Sequence, residues 1–133
     1  MPSMAGVSVT GFDHLVLVVA DVERTLAWYV DELGVPGERV EEWRRGEVFF
    51  PSLRLSPDSL IDVVPGERDP SVRGNVDHFC LVIDGDPAEI AASGRFEVVD
   101  GPVMRWGAHG DALSVYVKDP DGNVVELRRY PTS

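Results

Sequence analysis

The sequence predicts an α+β fold built from two tandem βαβββ modules. Three observations carry that prediction. Asp13-His14-Leu15-Val16-Leu17-Val18-Val19 reappears 64 residues later as Asp77-His78-Phe79-Cys80-Leu81-Val82-Ile83. Under the same offset Leu60-Ile61-Asp62 falls on Val124-Val125-Glu126, so each half carries a His on a strand-like run and a carboxylate 48 residues further on. Each apolar run is followed by an acidic helix cap, Asp21 in one half and Asp86 in the other. A repeated unit that cannot bury its own sheet face pairs with its copy. Two curved mixed sheets related in this way leave a concave side lined by one face of each strand, where a metal or ligand cleft is expected.

Phe12–Val19 is almost wholly apolar after His14, which suits a strand covered on both faces. Alternation puts His14, Val16 and Val18 on one face and Leu15 and Leu17 on the other. Asp21 caps a helix whose apolar residues Val22, Leu26, Tyr29, Val30 and Leu33 follow at helical spacing, and Gly34 stands at its C′ position. Strands are expected over Glu38–Trp43, Glu47–Leu55 and Leu60–Val64, with turns at Arg45-Gly46 and Pro57-Asp58-Ser59. Pro51 gives the middle one an edge position or a bulge. Pro65 to Asn75, rich in Pro, Gly and charge, reads as the linker.

The second half repeats this order. Val76–Ile83 is a strand, and Asp86-Pro87-Ala88-Glu89 is a capping box with Pro at N1 that opens a short helix ended by Gly94. Phe96–Val99, Ala112–Lys118 and Asn123–Arg129 are strands, the last two joined by an Asp119-Pro120-Asp121-Gly122 turn. The expected organisation is a single domain over 1–133, with module 1 at about 10–65, a linker at about 66–75 and module 2 at about 76–130.

Composition limits the function classes. A chain that is 44% hydrophobic and 26% charged is globular rather than disordered. No apolar run approaches the ~20 residues of a membrane span, and Met1 to Val9 has neither the basic nor the apolar region of an export signal. A net charge of −11 repels phosphate backbones and argues against nucleic-acid or anionic-membrane partners. Cys80 is the only cysteine, which fits a reducing cytoplasm, and on an apolar strand it reads as an inert packed thiol.

Two imidazoles with one or two carboxylates bind a borderline divalent ion, and a two-His-one-carboxylate set leaves positions open for substrate or O₂. A single His on an apolar strand is ordinarily a satisfied core residue. Two at duplicated positions, each followed by an acid at the same interval, point to ligation by His14, His78, Glu126 and Asp62. A buried carboxylate without a cation is costly, so Glu126, between Val125 and Leu127, needs a partner. Asp62 is a methylene shorter than Glu, and an Asp at a strand end is equally at home in solvent.

Asp13-His14 with its strand and Asp21-led helix, Val76-Asp77-His78, and Asp119-Pro120-Asp121-Gly122-Asn123 leading to Glu126 together cover about residues 10–130. In these motifs the chain resembles the vicinal oxygen chelate superfamily, which groups glyoxalase I, extradiol dioxygenases, fosfomycin-resistance enzymes and bleomycin-resistance proteins. The resemblance implies His14, His78 and Glu126 as metal ligands, with Asp62 where glyoxalase-type members place a fourth, usually Glu. Gly107-Ala108-His109, then Val115-Tyr116 and the Asp-Pro-Asp-Gly turn, is similar to the signature of extradiol dioxygenases, in which the His lies near substrate. The alternative for His109 is a solvated loop residue beside Gly110. No His lies between His14 and His78, where those dioxygenases carry an acid–base histidine. Trp106 is a candidate pocket wall, Arg105 a candidate partner for an anionic substrate or a salt-bridge residue, and Tyr116 a substrate contact or core packing.

The resemblance implies a divalent-metal-dependent enzyme acting on vicinal oxygens of a small molecule. Fe²⁺ with a catechol-like substrate and O₂ is one version. Ni²⁺, Zn²⁺ or Mn²⁺ with isomerisation, epimerisation or addition, as in glyoxalase or fosfomycin-resistance enzymes, is the other. Asp62, if not a ligand, would serve as general base. The alternative is a metal-free, homodimeric protein that sequesters a small molecule, like the bleomycin-resistance members. A homodimer is implied for either.

Overall fold

An apolar strand, an acid-capped helix and three further strands recur in the same order in both halves of the chain. The computed structural model describes residues 10–67, 69, 71, 74 and 76–131. It divides into two compact units, Met1–Arg68 and Asp69–Ser133. The first contains β1 (His14–Val19), α1 (Val22–Leu26), β2 (Gly37–Glu38), α2 (Val40–Arg44), β3 (Ser52–Ser56) and β4 (Ser59–Pro65). The second contains β5 (Phe79–Val82), α3 (Pro87–Ala92), β6 (Glu97–Gly107), β7 (Gly110–Lys118) and β8 (Val124–Arg129). Each forms a four-stranded mixed sheet, ordered β1-β4-β3-β2 and β5-β8-β7-β6. In both, the first strand runs parallel to the last, and the other pairings are antiparallel.

Register decides which side chains share a face. In the first sheet Leu15, Leu17 and Val19 lie beside Ile61, Val63 and Pro65, and Leu53 lies opposite Ile61. Val19, Leu53, Ile61 and Val63 are at most 1% exposed, and α1 adds Val22 and Leu26 to this core. His14, Val16 and Val18 take the other face with Leu60, Asp62 and Val64. That face is open: Val16 is 46% and Val18 40% exposed, so β1 is covered on one side, not the expected two. The second sheet repeats the pattern. Val115, Val117, Val125 and Leu127 are fully buried, while Cys80 and Tyr116 flank Glu126 on the opposite face.

The helix caps match the sequence reading. Asp21 accepts from the Arg24 N–H and Asp86 from the Ala88 N–H, satisfying helix-end donors. The first helix continues beyond α1 as a π-helical segment, Ala27–Glu32, before Gly34 closes it at φ +75°. The Asp119 carboxylate accepts from Asp121 N, Asn123 N and Asn123 Nδ2, fixing the turn into β8.

Other expectations are corrected. Glu38–Trp43 is a two-residue strand followed by helix α2, because Arg39 turns to φ +58° and Val40, Trp43 and Arg44 then fall at helical spacing. The strand expected over Glu47–Leu55 begins only after Pro51, and β3 is an inner strand whose irregularity lies at Arg54/Ser56 rather than at Pro51. The strand expected over Phe96–Val99 extends to Gly107. Gly101-Pro102 hid this, since it reads as a turn but is absorbed by register shifts within the β6–β7 ladder. Gly101 is required there: its φ is +90°, and a Cβ would stand 2.6 Å from the Ser114 carbonyl oxygen. The expected linker falls largely outside the described residues.

The two faces of the first sheet are expected to answer differently to truncation. Leu53→Ala removes a fully buried side chain and costs about 2–5 kcal/mol, whereas Val16→Ala on the open face costs less than about 1 kcal/mol. Chemical denaturation of the two variants measures this, and equal losses would contradict the face assignment.

Candidate functional site

Sheet register brings one His and one carboxylate together in each unit. In the second, His78 precedes β5 on the parity of Cys80, whose partner on β8 is Glu126. His78 Nε2 lies 3.2 Å from Glu126 Oε1. In the first, His14 Nε2 lies 3.7 Å from Asp62 Oδ2. The preceding aspartate takes the other ring nitrogen in both: Asp77 Oδ2 lies 2.7 Å from His78 Nδ1, and Asp13 Oδ2 lies 2.7 Å from His14 Nδ1. A carboxylate on Nδ1 orients the ring and directs Nε2 forward, the arrangement that commonly supports metal-binding imidazoles.

The carboxylates are held alike. Ser52 donates to Asp62 Oδ1 at 2.7 Å and Ser114 to Glu126 Oε2 at 2.7 Å, so in each case the second oxygen is the one turned toward imidazole. Burial separates them. The Glu126 side chain is 5% exposed, the Asp62 side chain 13%. Glu126 also meets a buried cation, as Arg128 Nη1 donates to its Oε2 at 3.0 Å. Its need for a partner is thus met by His78, Ser114 and Arg128. Asp62 has the hydroxyl and the imidazole without an arginine contact of this kind among the described residues.

The remaining candidates spread across the second unit. The Tyr116 ring stands edge-on to His78 at 5.2 Å between centroids. Burial raises its phenol above the ordinary range, the Glu126 carboxylate adds to this, and Arg105 partly offsets it. Arg105 itself donates to Asp100 at 3.3 Å. Trp106 is 79% exposed on β6. His109 occupies the β6–β7 turn, where its backbone N–H donates to the Tyr130 hydroxyl and its ring packs edge-on against Tyr130. Its recorded contacts are therefore with Tyr130 rather than with His78 or Glu126. In the first unit Arg44 is tied to Glu23 and Glu41, and Arg45 to Glu47. Cys80 is exposed rather than packed, because the open face of β5 leaves it uncovered. Partial desolvation, followed by the Glu126 charge, pushes its thiol up to about 11, which keeps it a poor nucleophile.

Among the described residues no three His, Cys, Asp or Glu side chains converge as an ion would require, so each unit supplies a pair. The chemistry of these pairs suits a divalent ion: an oriented imidazole nitrogen facing a carboxylate oxygen. The contacts of Asp13 and Asp77 with the His rings, and of Ser52, Ser114 and Arg128 with the carboxylates, are not evident from the sequence. The duplicated Asp-His doublet was the available signal for the first two. Arg128 lies two residues after Glu126 on a strand and so shares its face.

The model of the Glyoxalase/Bleomycin resistance protein/Dioxygenase superfamily matches residues 11–127. The chain belongs to this superfamily. Within it, the chain is 32% identical over 122 residues to virulence protein STM3117 of Salmonella typhimurium, covering 89% of this chain and 83% of that protein. It is 32% identical over 135 residues to the glyoxalase domain-containing protein RDO1 of Mycosarcoma maydis, covering 92% of this chain and 70% of that one. A structure from the mobile metagenome of V. Pseudocholerae superposes with a TM-score of 0.71 at 25% identity, over 95% of this chain and 98% of its own. The superfamily fold is therefore present essentially end to end.

The Asp13 contact has a measurable consequence. Its hydrogen bond raises the His14 pKa, and Asp62 adds to the effect against some desolvation. The contact therefore favours the folded state below about pH 6.5, and its contribution fades as pH rises through the raised value. NMR titration of the metal-free protein is expected to place His14 above the ordinary value, with Asp13→Asn bringing it down. An unchanged titration in Asp13→Asn would contradict the pairing.

Proposed function

We propose that this protein is a divalent-metal-dependent enzyme that binds a small substrate through neighbouring oxygen atoms. The observation that carries the reading is the pair of His–carboxylate contacts. His78 Nε2 faces the Glu126 carboxylate while Asp77 occupies Nδ1, so the ring is oriented with one nitrogen toward the acid. A metal ion bound between the two would take the place of this direct contact. His78 Nε2 and Glu126 Oε1 are the donors proposed for the second unit, and His14 Nε2 with Asp62 Oδ2 for the first. Asp62, the more exposed carboxylate, is alternatively free to take a proton from substrate. The bound ion would supply Lewis acidity toward a developing oxyanion.

The chain's own groups then have definite tasks. Asp77 and Asp13 fix ring orientation, while Ser114 and Ser52 hold one oxygen of each carboxylate. Tyr116 keeps its proton at neutral pH as an ordinary phenol does, and its pKa is raised further, so beside His78 it can donate a hydrogen bond to a substrate oxygen. Arg105 offers positive charge next to it. The resemblance of Gly107–Glu126 to the ring-cleaving dioxygenases makes catechols the substrates to test first. Small-molecule sequestration without metal is the second reading, favoured by the Arg128 contact that already neutralises Glu126.

Elemental analysis after reconstitution with Fe²⁺, Mn²⁺, Ni²⁺ or Zn²⁺ distinguishes the two. The parent is expected to retain a divalent ion, and Glu126→Ala and His78→Ala to lose it. Absence of uptake by the parent would sink the enzyme reading. Oxygen consumption with a catechol panel then tests the dioxygenase version on Fe²⁺-loaded protein.

A further inference from the structure

Arg128 is 3% exposed in a sheet whose open face is largely polar, and its guanidinium is almost completely used. Nη1 donates to Glu126 Oε2 at 3.0 Å and to the Trp106 carbonyl at 3.4 Å. Nη2 donates to the carbonyls of Arg105 at 2.8 Å and Gly110 at 3.0 Å. Its Cζ lies 4.8 Å over the Tyr130 ring, whose hydroxyl accepts the His109 N–H. One planar cation thus joins the buried carboxylate of β8 to both strands that flank the β6–β7 turn. The chain makes room for it: a Cβ on Gly107 would stand 2.5 Å from Nη1 and 2.8 Å from the Tyr130 hydroxyl. A side chain at 107 would have to displace the guanidinium or the Tyr130 hydroxyl. Nε has no partner among the described residues, an unfavourable feature that the rest of the network offsets.

We propose that Arg128 is a positioning residue for the candidate site. It holds Glu126 Oε2 so that Oε1 stays on His78, and it sets the end of β6 with Trp106, and the turn with His109, in register with that carboxylate. The assignment deepens the proposed function and rests on it for the role of Glu126 toward an ion. A lysine would keep the charge but lacks the second arm, so it cannot hold the carboxylate and the three carbonyls together. Charge and orientation are separable on that basis.

The first measurement uses the parent protein. Its Arg128 guanidinium is expected to give individually resolved, slowly exchanging Nη protons by NMR; a single averaged signal, as from a solvated arginine, would overturn the role. The second compares Arg128→Lys and Gly107→Ala, the latter leaving the arginine in place while crowding its guanidinium. In both, exchange of the His109 amide is expected to accelerate about tenfold and the Zn²⁺ dissociation constant to rise about tenfold, as for other losses of outer-shell support. Parent-like exchange and affinity in both variants would overturn the proposal. A parent with no affinity for Zn²⁺ would count against the metal-dependent reading, while the guanidinium signals and the His109 amide would still decide the role of Arg128.

Discussion

In this protein two histidine rings are each placed between carboxylates, and carboxylates accept hydrogen bonds without donating them. Asp77 and Glu126 face the two nitrogens of His78, and Asp13 and Asp62 face those of His14. A neutral imidazole has one proton and satisfies one such neighbour. The second contact is the place the proposed ion would take, in a chain whose net charge of −11 attracts cations. The sheets serve this arrangement. Parallel pairing of the first strand with the last sets the His two positions before the residue opposite the carboxylate, and alternation places both on the face away from the apolar core.

The two copies have diverged in how they hold the acid. Ser52 and Ser114 play the same part toward Asp62 and Glu126, although Ser52 is the strand partner of its carboxylate and Ser114 is the partner of Arg128. The position opposite Glu126 is occupied instead by Tyr116, whose ring meets His78 edge-on. The second copy is also the more buried, and Arg128 makes that tolerable by ion-pairing with Glu126. Duplicated backbones thus carry a more exposed pair in one unit and a pair set in a dense polar network in the other.

Much of this was legible in the chain because local chemistry and tertiary structure agree there. Asp21 and Asp86 look like helix caps and are caps, Asp119-Pro120-Asp121-Gly122 looks like a turn and is one, and the 64-residue offset gives the common strand order. The failures fall where one residue's backbone overrides the local pattern. Arg39 in a left-handed conformation converts an apparent strand to a helix, and Gly101-Pro102 looks like a strand end but is carried inside a ladder. Cys80 is exposed rather than packed because the sheet's second face is not covered, although its thiol is inert as expected. The Arg128 contacts with the carbonyls of Arg105, Trp106 and Gly110 span 18 to 23 residues, which periodicity does not encode. Membership of the superfamily follows from the match over 11–127, whereas the roles of Tyr116 and His109 depend on substrate chemistry.

Anomalous diffraction from crystals grown with Zn²⁺ or Mn²⁺ tests the central claim most directly. The account predicts a metal peak within coordination distance of His78 Nε2 and Glu126 Oε1, with Asp77 still on Nδ1 and Arg128 still on Oε2. A peak elsewhere, with His78 and Glu126 still in direct contact, would contradict it.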